Sequence, residues 1–466
     1  MKLRTDQSAP KYNALTSDLA HIALQASQSL VLLNDVLQDT AGMAFVSLLQ
    51  ALSSSQPDPA VLASAYGRAF RALARAANED ATPRLADTWQ AFLVARLIDD
   101  RNPWSEQVER VGPARVSPTL REQARRDLRA LQRLFRLESV SLRDAVEALV
   151  ASALPALCNS WMPWCNLGPR QEEEPTHARA LLAARIANCE DWSELVEPLE
   201  RHWARHGTGP QAQYHVLRWL PTEKKLAGIA YPDPIQLVGL VGQERQQVRL
   251  TRNIERFLVG LPAQDMLLYG PPGTGKSSTI KALANASADQ GLCLVEISKE
   301  DIGDLPAVVA DLRVRAPHYL LFIDDLSFEE HETSYKALKV LLEGTAEARP
   351  ANVLICATSN RLNLIRENFS DRGRPTEDVN WRDTMDEKQS LAHRFALRVT
   401  FMLPDQRQYL RIVEALARQR GLEIPSDLLQ ERALHWERQH TGRSGRLARQ
   451  FIDDLEGELK DGKSAP

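Results

Sequence analysis

The sequence has few cysteines and no long uncharged apolar run. Its 466 residues include five cysteines, and none of them forms a Cys-x-x-Cys pair, so we expect reduced thiols and no structural zinc site. No stretch of about 18 uncharged apolar residues is present, so no transmembrane helix is expected. The residues that follow Met1 are polar from the start, which argues against a signal peptide. These features favour a cytoplasmic location.

The length and charge describe an ordinary soluble protein. A chain of 466 residues suggests two or three domains. The formal net charge is −4, with 25% charged residues, whereas nucleic-acid-binding domains are usually strongly basic. A nucleic-acid partner is therefore an option that the composition does not favour.

Hydrophobic periodicity divides the chain into helical and α/β regions. Apolar residues at helical spacing predict an all-helical N-terminal domain over residues 1–206. Residues 207–234 are rich in breakers and polar residues and are predicted to be a linker. Short β-rich runs that alternate with helical stretches predict a parallel sheet with helices on both faces over residues 235–403. Only helical patterns follow, which predicts a small helical subdomain over residues 404–466. The β-rich runs are Met266–Tyr269, Leu292–Ile297, Tyr319–Ile323, Val353–Ala357 and Leu397–Met402.

One predicted helix of the N-terminal domain is rich in arginine. It begins at Ser117-Pro118, a capping residue followed by proline at the first helical position. A solvated face is the usual meaning of such an arginine run, and contact with phosphates or an acidic partner is the alternative. Its apolar face carries Leu120, Ala124, Leu128, Leu131 and Phe135, and its opposite side carries Arg121, Arg125, Arg126, Arg129, Arg133 and Arg136.

A complete phosphate-binding loop, GPPGTGKS, occupies residues 270–277 between an apolar run and a helical stretch. Glycines let consecutive N–H groups surround a polyphosphate, and the following helix offers its positive dipole end. Lys276 is expected to reach the β- and γ-phosphates, and the Ser277 hydroxyl to hold Mg²⁺. The sequence thus predicts ATP and Mg²⁺ as ligands. The predicted loop contacts are Gly270, Pro271, Pro272, Gly273, Thr274, Gly275, Lys276, Ser277 and Ser278.

A second nucleotide-site motif is the apolar run that ends in Asp324 and Asp325. Parallel strands present their carboxyl ends to the ligand, so Asp324 is predicted beside the metal and Asp325 beside the attacking water. For both aspartates the structural alternative is a helix cap. Many ATPases have a glutamate at the position of Asp325, and aspartate is one methylene shorter. Glu329 or Glu330 is therefore the alternative base.

Three further polar residues follow the phosphate loop along the chain. Asn360 ends the apolar run 353–359, where its amide could orient the attacking water, although a turn asparagine is the alternative. Arg394 precedes the last β-rich run, and Arg446 lies in the C-terminal helical region. Either arginine could sense phosphate, and a surface ion pair is the alternative for both. The polar stretch 366–389 is expected to be an exposed loop.

Taken in order, these motifs resemble an AAA+ ATPase, an α/β P-loop NTPase fold with a small helical lid. The resemblance implies that Asn360 is a sensor, Arg394 an arginine finger and Arg446 a second sensor. It also implies that LVGQE at residues 240–244 packs the adenine, with Val241 and Gly242 as backbone contacts. The sequence around Arg394 is similar to the Arg-Phe-Gly box of the bacterial Holliday-junction branch-migration motor. A homo-oligomeric ring follows if Arg394 completes a neighbour's site, with a hexamer as one option.

More narrowly, residues 214–459 resemble the bacterial AAA+ family catalogued as domain of unknown function 815. The resemblance implies an ATP-binding and ATP-hydrolysing protein and brings no established substrate. The phrases that carry it are IDDLSFE at 323–329, YKALK at 335–339, LEG at 342–344, ATSNR at 357–361 and RSGR at 443–446.

Three functions remain open at this point. The first is a ring-forming ATPase that remodels a protein partner recruited by the N-terminal domain. Residues 298–304 contain no aromatic residue, which favours a local remodeller over a processive unfoldase. The second is a nucleotide-dependent switch with slow turnover, and the third is a DNA-associated loader or initiator, suggested by the paired aspartates and the arginine-rich helix.

Overall fold

The computed structural model describes residues 10–78, 85–151, 153, 155, 161–168, 178–328, 335–343, 349–362, 364, 391–440 and 442–464. The chain divides into two compact units, Met1–Gln213 and Tyr214–Pro466. Within the described residues, no helix is long and apolar enough to cross a membrane.

The described part of the first unit is helical, apart from one isolated bridge between Asp87 and Cys165. Five tryptophans lie fully inside its core, and Trp89 stacks on Phe45 with ring centroids 3.5 Å apart. Its α-helices are α1 (Pro10–Gln28), α2 (Thr40–Leu52), α3 (Pro59–Ala76), α4 (Thr88–Asp99), α5 (Pro103–Val111), α6 (Pro118–Phe135), α7 (Ser139–Val150), α8 (Ala178–Ala187) and α9 (Val196–His206).

Helix α6 is the predicted arginine-rich helix. Ala124, Leu128 and Leu131 are buried in the core of the unit, because they recur on one side of the helix. The predicted start of the helix is confirmed, with Ser117 at the N-cap position and Pro118 as the first helical residue, although the Ser117 side chain makes no capping hydrogen bond.

The second unit is built on a seven-stranded sheet with the order β2-β1-β4-β5-β6-β3-β7. All neighbouring strands are parallel except the antiparallel pair β1 and β2. The strands are β1 (Val216–Leu220), β2 (Lys225–Gly228), β3 (Met266–Tyr269), β4 (Leu292–Ile297), β5 (His318–Ile323), β6 (Val353–Ser359) and β7 (Leu397–Thr400).

The hairpin of β1 and β2 lies inside the segment predicted as a linker. Strand β1 pairs in parallel with β4, from Val216 opposite Leu294 to Arg218 opposite Glu296. The linker prediction is wrong for these residues, because backbone pairing extends the sheet by two strands at this edge.

Helices cover both faces of the sheet and form a separate bundle after it. They are α10 (Glu244–Leu258), α11 (Lys276–Ser287), α12 (Leu305–Arg313), α13 (Tyr335–Glu343), α14 (Gln406–Gln419), α15 (Ser426–Gln439) and α16 (Gly445–Ser464). The last three pack around their own core, which includes Tyr409, Val413, Phe451 and Leu455. We call these three helices the lid.

The sheet order positions the candidate site. Strand β3 lies between β6 and β7, and its own connection to β4 runs along the sheet in one direction, whereas the connection from its neighbour β6 to β7 runs in the other. Ligands of open parallel sheets bind at the carboxyl ends of the strands where the order reverses in this way. The loop after β3 is therefore at the place where a ligand site is expected.

Candidate nucleotide site

The phosphate loop joins the end of β3 to the start of α11, and two of its glycines are required, one by close backbone packing and one by its backbone conformation. A Cβ atom on Gly270 would lie 2.0 Å from the carbonyl oxygen of Phe401. A Cβ on Gly275 would lie 2.4 Å from Nε2 of Gln243, and Gly275 has a left-handed φ of 91°. A side chain at position 270 would therefore collide with the backbone, and one at position 275 would be strained by the left-handed φ.

Lys276 is the first residue of α11, and its side chain folds back into the loop. Its ammonium donates to the carbonyl oxygens of Gly270 at 2.7 Å and Pro271 at 3.0 Å, and to Oδ1 of Asn360 at 3.0 Å. Burial lowers the pKa of Lys276, while the negative charges of Asp325 and Asp324 act to raise it. A buried ammonium surrounded by oxygens is well placed to exchange them for phosphate oxygens.

Asp324 follows the last residue of β5 and accepts hydrogen bonds from two hydroxyls. Ser277 donates to its Oδ1 at 2.6 Å, and Thr358 donates to the same oxygen at 2.5 Å. The side chain of Asp324 is exposed. A carboxylate and a hydroxyl oxygen fit Mg²⁺, which is bound in proteins by one or two carboxylates together with phosphate oxygens and water.

Asp325 has an unusual backbone conformation and a defined side-chain partner. Its φ is 49°, in the left-handed region, which aspartate adopts more readily than most residues. Its N–H donates to Oγ1 of Thr358 at 2.9 Å, and Asn360 Nδ2 donates to its Oδ1 at 2.7 Å. The Asn360 amide thus connects the Asp325 carboxylate to the Lys276 ammonium.

The lid also contacts the phosphate loop. The N–H of Arg446 donates to the carbonyl oxygen of Gly273 at 3.4 Å, and a Cβ on Gly273 would lie 3.1 Å from Oγ of Ser444. The side chain of Arg446 is exposed. The start of α16 is therefore held against the loop that is predicted to bind phosphates.

The predicted adenine segment is also in contact with the lid. Gln408 of α14 donates to the carbonyl oxygen of Gly242 at 2.5 Å. Val241 and Gly242 are half-buried in the turn that precedes α10. A base bound beside these backbone groups would touch both the sheet subdomain and the lid.

Arg394 lies at the amino edge of the sheet, where its parallel strands begin, whereas the phosphate loop lies at the carboxyl edge, where they end. Arg394 is half-buried and precedes β7, whose first residue, Leu397, pairs with Met266 at the amino end of β3. The length of a four-residue strand, about 13 Å, therefore separates this edge from the loop. The structure brings Lys276 and Asp325 together but places Arg394 elsewhere.

Three residues of the site were not predicted. Gln243 donates to the carbonyl oxygen of Thr274 and accepts from Oγ1 of Thr279 at 2.9 Å, while Thr358 and Gln408 make the contacts described above. Gln243 and Thr358 lie within the motifs at residues 240–244 and 357–361, but their hydrogen-bond partners are distant in sequence. The alternative bases Glu329 and Glu330, and the whole of the predicted loop 366–389, lie outside the described residues.

Comparisons with known proteins give relatives and a structural neighbour for this unit. The chain is 26% identical over 204 residues to the 26S proteasome regulatory subunit 6B homolog of Schizosaccharomyces pombe, covering 39% of this chain and 51% of the relative. It is 29% identical over 157 residues to the proteasome-activating nucleotidase of Sulfurisphaera tokodaii, covering 29% and 40%. The chain thus spans about half the length, or less, of these curated relatives. The RuvB Holliday junction branch migration motor of Thermotoga maritima superposes with a TM-score of 0.37 at 18% identity, covering 49% of this chain and 67% of that one.

The parallel sheet, the phosphate loop at its order reversal and the helical lid define the class of the second unit, which is an AAA+ ATPase module. A family model described as a protein of unknown function (DUF815) matches residues 212–459, more than half of the chain. The chain belongs to this family.

Proposed function

We propose that this protein binds ATP with Mg²⁺ and hydrolyses it, and that it works as an oligomeric AAA+ machine on a protein partner. The observation that carries the proposal is the continuous hydrogen-bonded cluster of Lys276, Asn360 and Asp325, with Ser277 and Asp324 beside it. A cation, an oxygen pair suited to a metal, a carboxylate and an amide are the groups that phosphoryl transfer to water needs.

Each residue of the cluster has a proposed role. The loop glycines and the Lys276 ammonium hold the phosphates, and Ser277 with Asp324 holds Mg²⁺, which neutralises phosphate charge when it is bound. Asp325 accepts the proton of the attacking water, which Asn360 orients. Arg446 senses the phosphates from the lid, and Val241 with Gly242 contacts the adenine through backbone groups.

The position of Arg394 supports an active site completed between subunits. The side chain starts at the amino edge of the sheet, about 13 Å from the edge that carries its own phosphate loop. A head-to-tail contact between copies would bring this edge to a neighbour's loop, and such contacts generate rings when the rotation closes. We therefore propose Arg394 as a finger that acts in trans in a homo-oligomeric ring.

The choice of a protein partner draws on the relatives and on helix α6. Two relatives are named for the proteasome, and the helical first unit is proposed as the adaptor that recruits the partner. Several arginines of α6, which suggested nucleic acid, contact carboxylates of their own unit. Arg121 pairs with Glu200 at 2.7 Å, and Arg129 with Asp191 at 3.5 Å.

A slow nucleotide-dependent switch is the second candidate. The observation that favours it is the hydrogen bond from Asn360 to the Asp325 carboxylate, because this oxygen has to share or give up a partner before it can accept from the attacking water. The shorter side chain of aspartate, compared with the glutamate of many ATPases, acts in the same direction. Rate measurements distinguish a switch from a motor.

The test is ATP turnover per subunit over a wide range of protein concentrations, with Lys276→Ala as the blank. A steep rise to a plateau is expected for a site completed between subunits, and turnover equal to wild type in Lys276→Ala would refute the proposed site. A flat, slow rate would favour the switch.

The finger has its own test in mixed samples. Arg394→Ala is expected to lower turnover by about 10³-fold while ATP affinity is retained. Mixed into wild type, it should depress the rate below the average of the two proteins, because each mutant subunit spoils a neighbour's site. A rate equal to that average would exclude action in trans.

A further inference from the structure

Helix α10 carries four exposed arginines on one side. Arg245, Arg249, Arg252 and Arg256 follow the spacing i, i+4, i+7 and i+11. At 3.6 residues per turn these positions lie within about 60° of one another around the helix axis and extend along about 16 Å of its length. We call this set the α10 stripe.

The α10 stripe is exposed because the helix turns a different side to the core. Leu250, Ile254 and Phe257 are buried against the sheet. Arg249 donates to the carbonyl oxygen of Arg398 at 3.5 Å, so the stripe runs beside edge strand β7. The packed apolar side fixes the helix and therefore the spacing of the guanidinium groups.

Among the described residues, the stripe also lacks the carboxylate partners that the arginines of α6 have. Among the ion pairs of the described residues, none includes a member of the stripe, whereas Arg121, Arg125, Arg126 and Arg129 of α6 each pair with an acid. Helix α10 itself has two acidic residues, Glu244 at its start and Glu255. Glu255 lies about a quarter of a turn from the centre of the stripe.

We propose that the α10 stripe binds the phosphate backbone of a nucleic acid duplex without reading its sequence. Guanidinium groups match phosphate oxygens in a bidentate manner, and one strand of a duplex offers a phosphate about every 3.4 Å along the axis, so about five phosphates span the stripe. Phosphate contacts position a duplex but do not specify bases.

Two other ligands fit the stripe less well. The strongest contacts of protein interfaces are enriched in aromatic residues, but the aromatic residue of α10, Phe257, is buried, and Val248 is the large apolar side chain that the helix exposes. Binding to single strands relies on stacking of bases on exposed aromatic rings, and the stripe offers none. This binding site is additional to the proposed ATPase and does not depend on it.

The test is the affinity of the full-length protein for a fluorescent mixed-sequence DNA duplex at several salt concentrations. Four phosphate contacts predict a slope of log K against log salt near −3.6, a loss of about 100-fold between 50 and 200 mM. The double variant Arg252→Glu/Arg256→Glu should reduce the slope by about 2 and the affinity by at least about tenfold. Retention of ATP binding and of the wild-type melting temperature shows that this variant is folded.

The matched control is Arg126→Glu/Arg133→Glu on α6, which changes the net charge equally. It should bind the duplex as the wild type does. Equal losses in both double variants, or no duplex binding at 50 mM salt, would overturn the proposal. Stripe-dependent binding of polyglutamate with equal or higher affinity than the duplex would overturn it in favour of an acidic protein partner.

Discussion

The two edges of the parallel sheet each hold an aspartate, but the two carboxylates have different surroundings. At the amino edge, Asp265 is buried and accepts from the N–H of Ile355 at 2.9 Å and from Arg349. At the carboxyl edge, Asp324 is exposed and accepts from the hydroxyls of Ser277 and Thr358.

These contacts determine which of the two carboxylates can exchange its hydrogen-bond partners. Asp265 fastens β3 to both of its neighbours, since its side chain binds β6 and its carbonyl oxygen accepts from Leu397 of β7 at 3.0 Å. Removal of the Asp265 side chain would leave the buried N–H of Ile355 without a partner. The hydroxyls around Asp324 can turn to water, metal or phosphate at little cost. We infer that the amino edge serves stability and the carboxyl edge serves chemistry.

The largest effect is expected at the carboxyl edge, from Asp325→Asn. If Asp325 is the base, turnover should fall by about 10² to 10⁴, while ATP affinity is kept and the free energy of unfolding changes by less than about 0.5 kcal/mol. Single-turnover hydrolysis and urea unfolding measure the two quantities. Asp311→Asn, an exposed aspartate of α12, is the charge-matched control. Full turnover in Asp325→Asn would move the base to another carboxylate, such as Glu329 or Glu330.

The amino edge should show the opposite pattern in Asp265→Ala. Loss of the acceptor leaves the Ile355 N–H unpaired in the core, so we expect a destabilisation of about 1 to 3 kcal/mol. Turnover per folded molecule should stay near wild type at low temperature. Asp265→Asn retains an oxygen for Ile355 and should cost less. An alanine variant as stable as wild type, or one that is stable but inactive, would break the division between the edges.

Much of the sheet was predictable because its strands are buried on both faces and appear as continuous apolar runs. Two of the predicted runs, Met266–Tyr269 and Leu292–Ile297, coincide with β3 and β4. Strand β1 was missed because it is short, is interrupted by the charged Arg218 and leads into a polar turn within a segment rich in breakers. An edge hairpin of this kind is recognised by its pairing, which sequence alone does not give.

Most residues of the site could be predicted from the sequence, but the hydrogen bonds between them could not. The loop and Asp324 follow strands that end at one edge, so their proximity is a consequence of parallel order. The bond from Asn360 to Asp325 depends on side-chain conformations across 35 residues of chain. The α10 stripe is not evident from the sequence for a different reason: its arginines are four residues among many, and their lack of acidic partners within the described residues is a property of the three-dimensional structure.

The smallest effect is expected from Gln243→Ala, which tests whether a residue just outside the charged cluster takes part in the chemistry. Gln243 holds the phosphate loop to α11 through Thr274 and Thr279 but lies outside the cluster of charged groups. Loss of one or two neutral hydrogen bonds, worth about 0.5 to 1.5 kcal/mol, should weaken ATP binding by about two- to tenfold and leave the rate at saturating ATP nearly unchanged. Titration with a fluorescent ATP analogue measures the affinity. Gln246→Ala, on the helix that Gln243 precedes, is the control that should keep wild-type affinity, since its amide binds the Thr400 carbonyl oxygen at 3.2 Å. A Gln243 variant with normal affinity but a large loss of rate would place this glutamine within the reacting groups and extend the chemical edge of the sheet to α10.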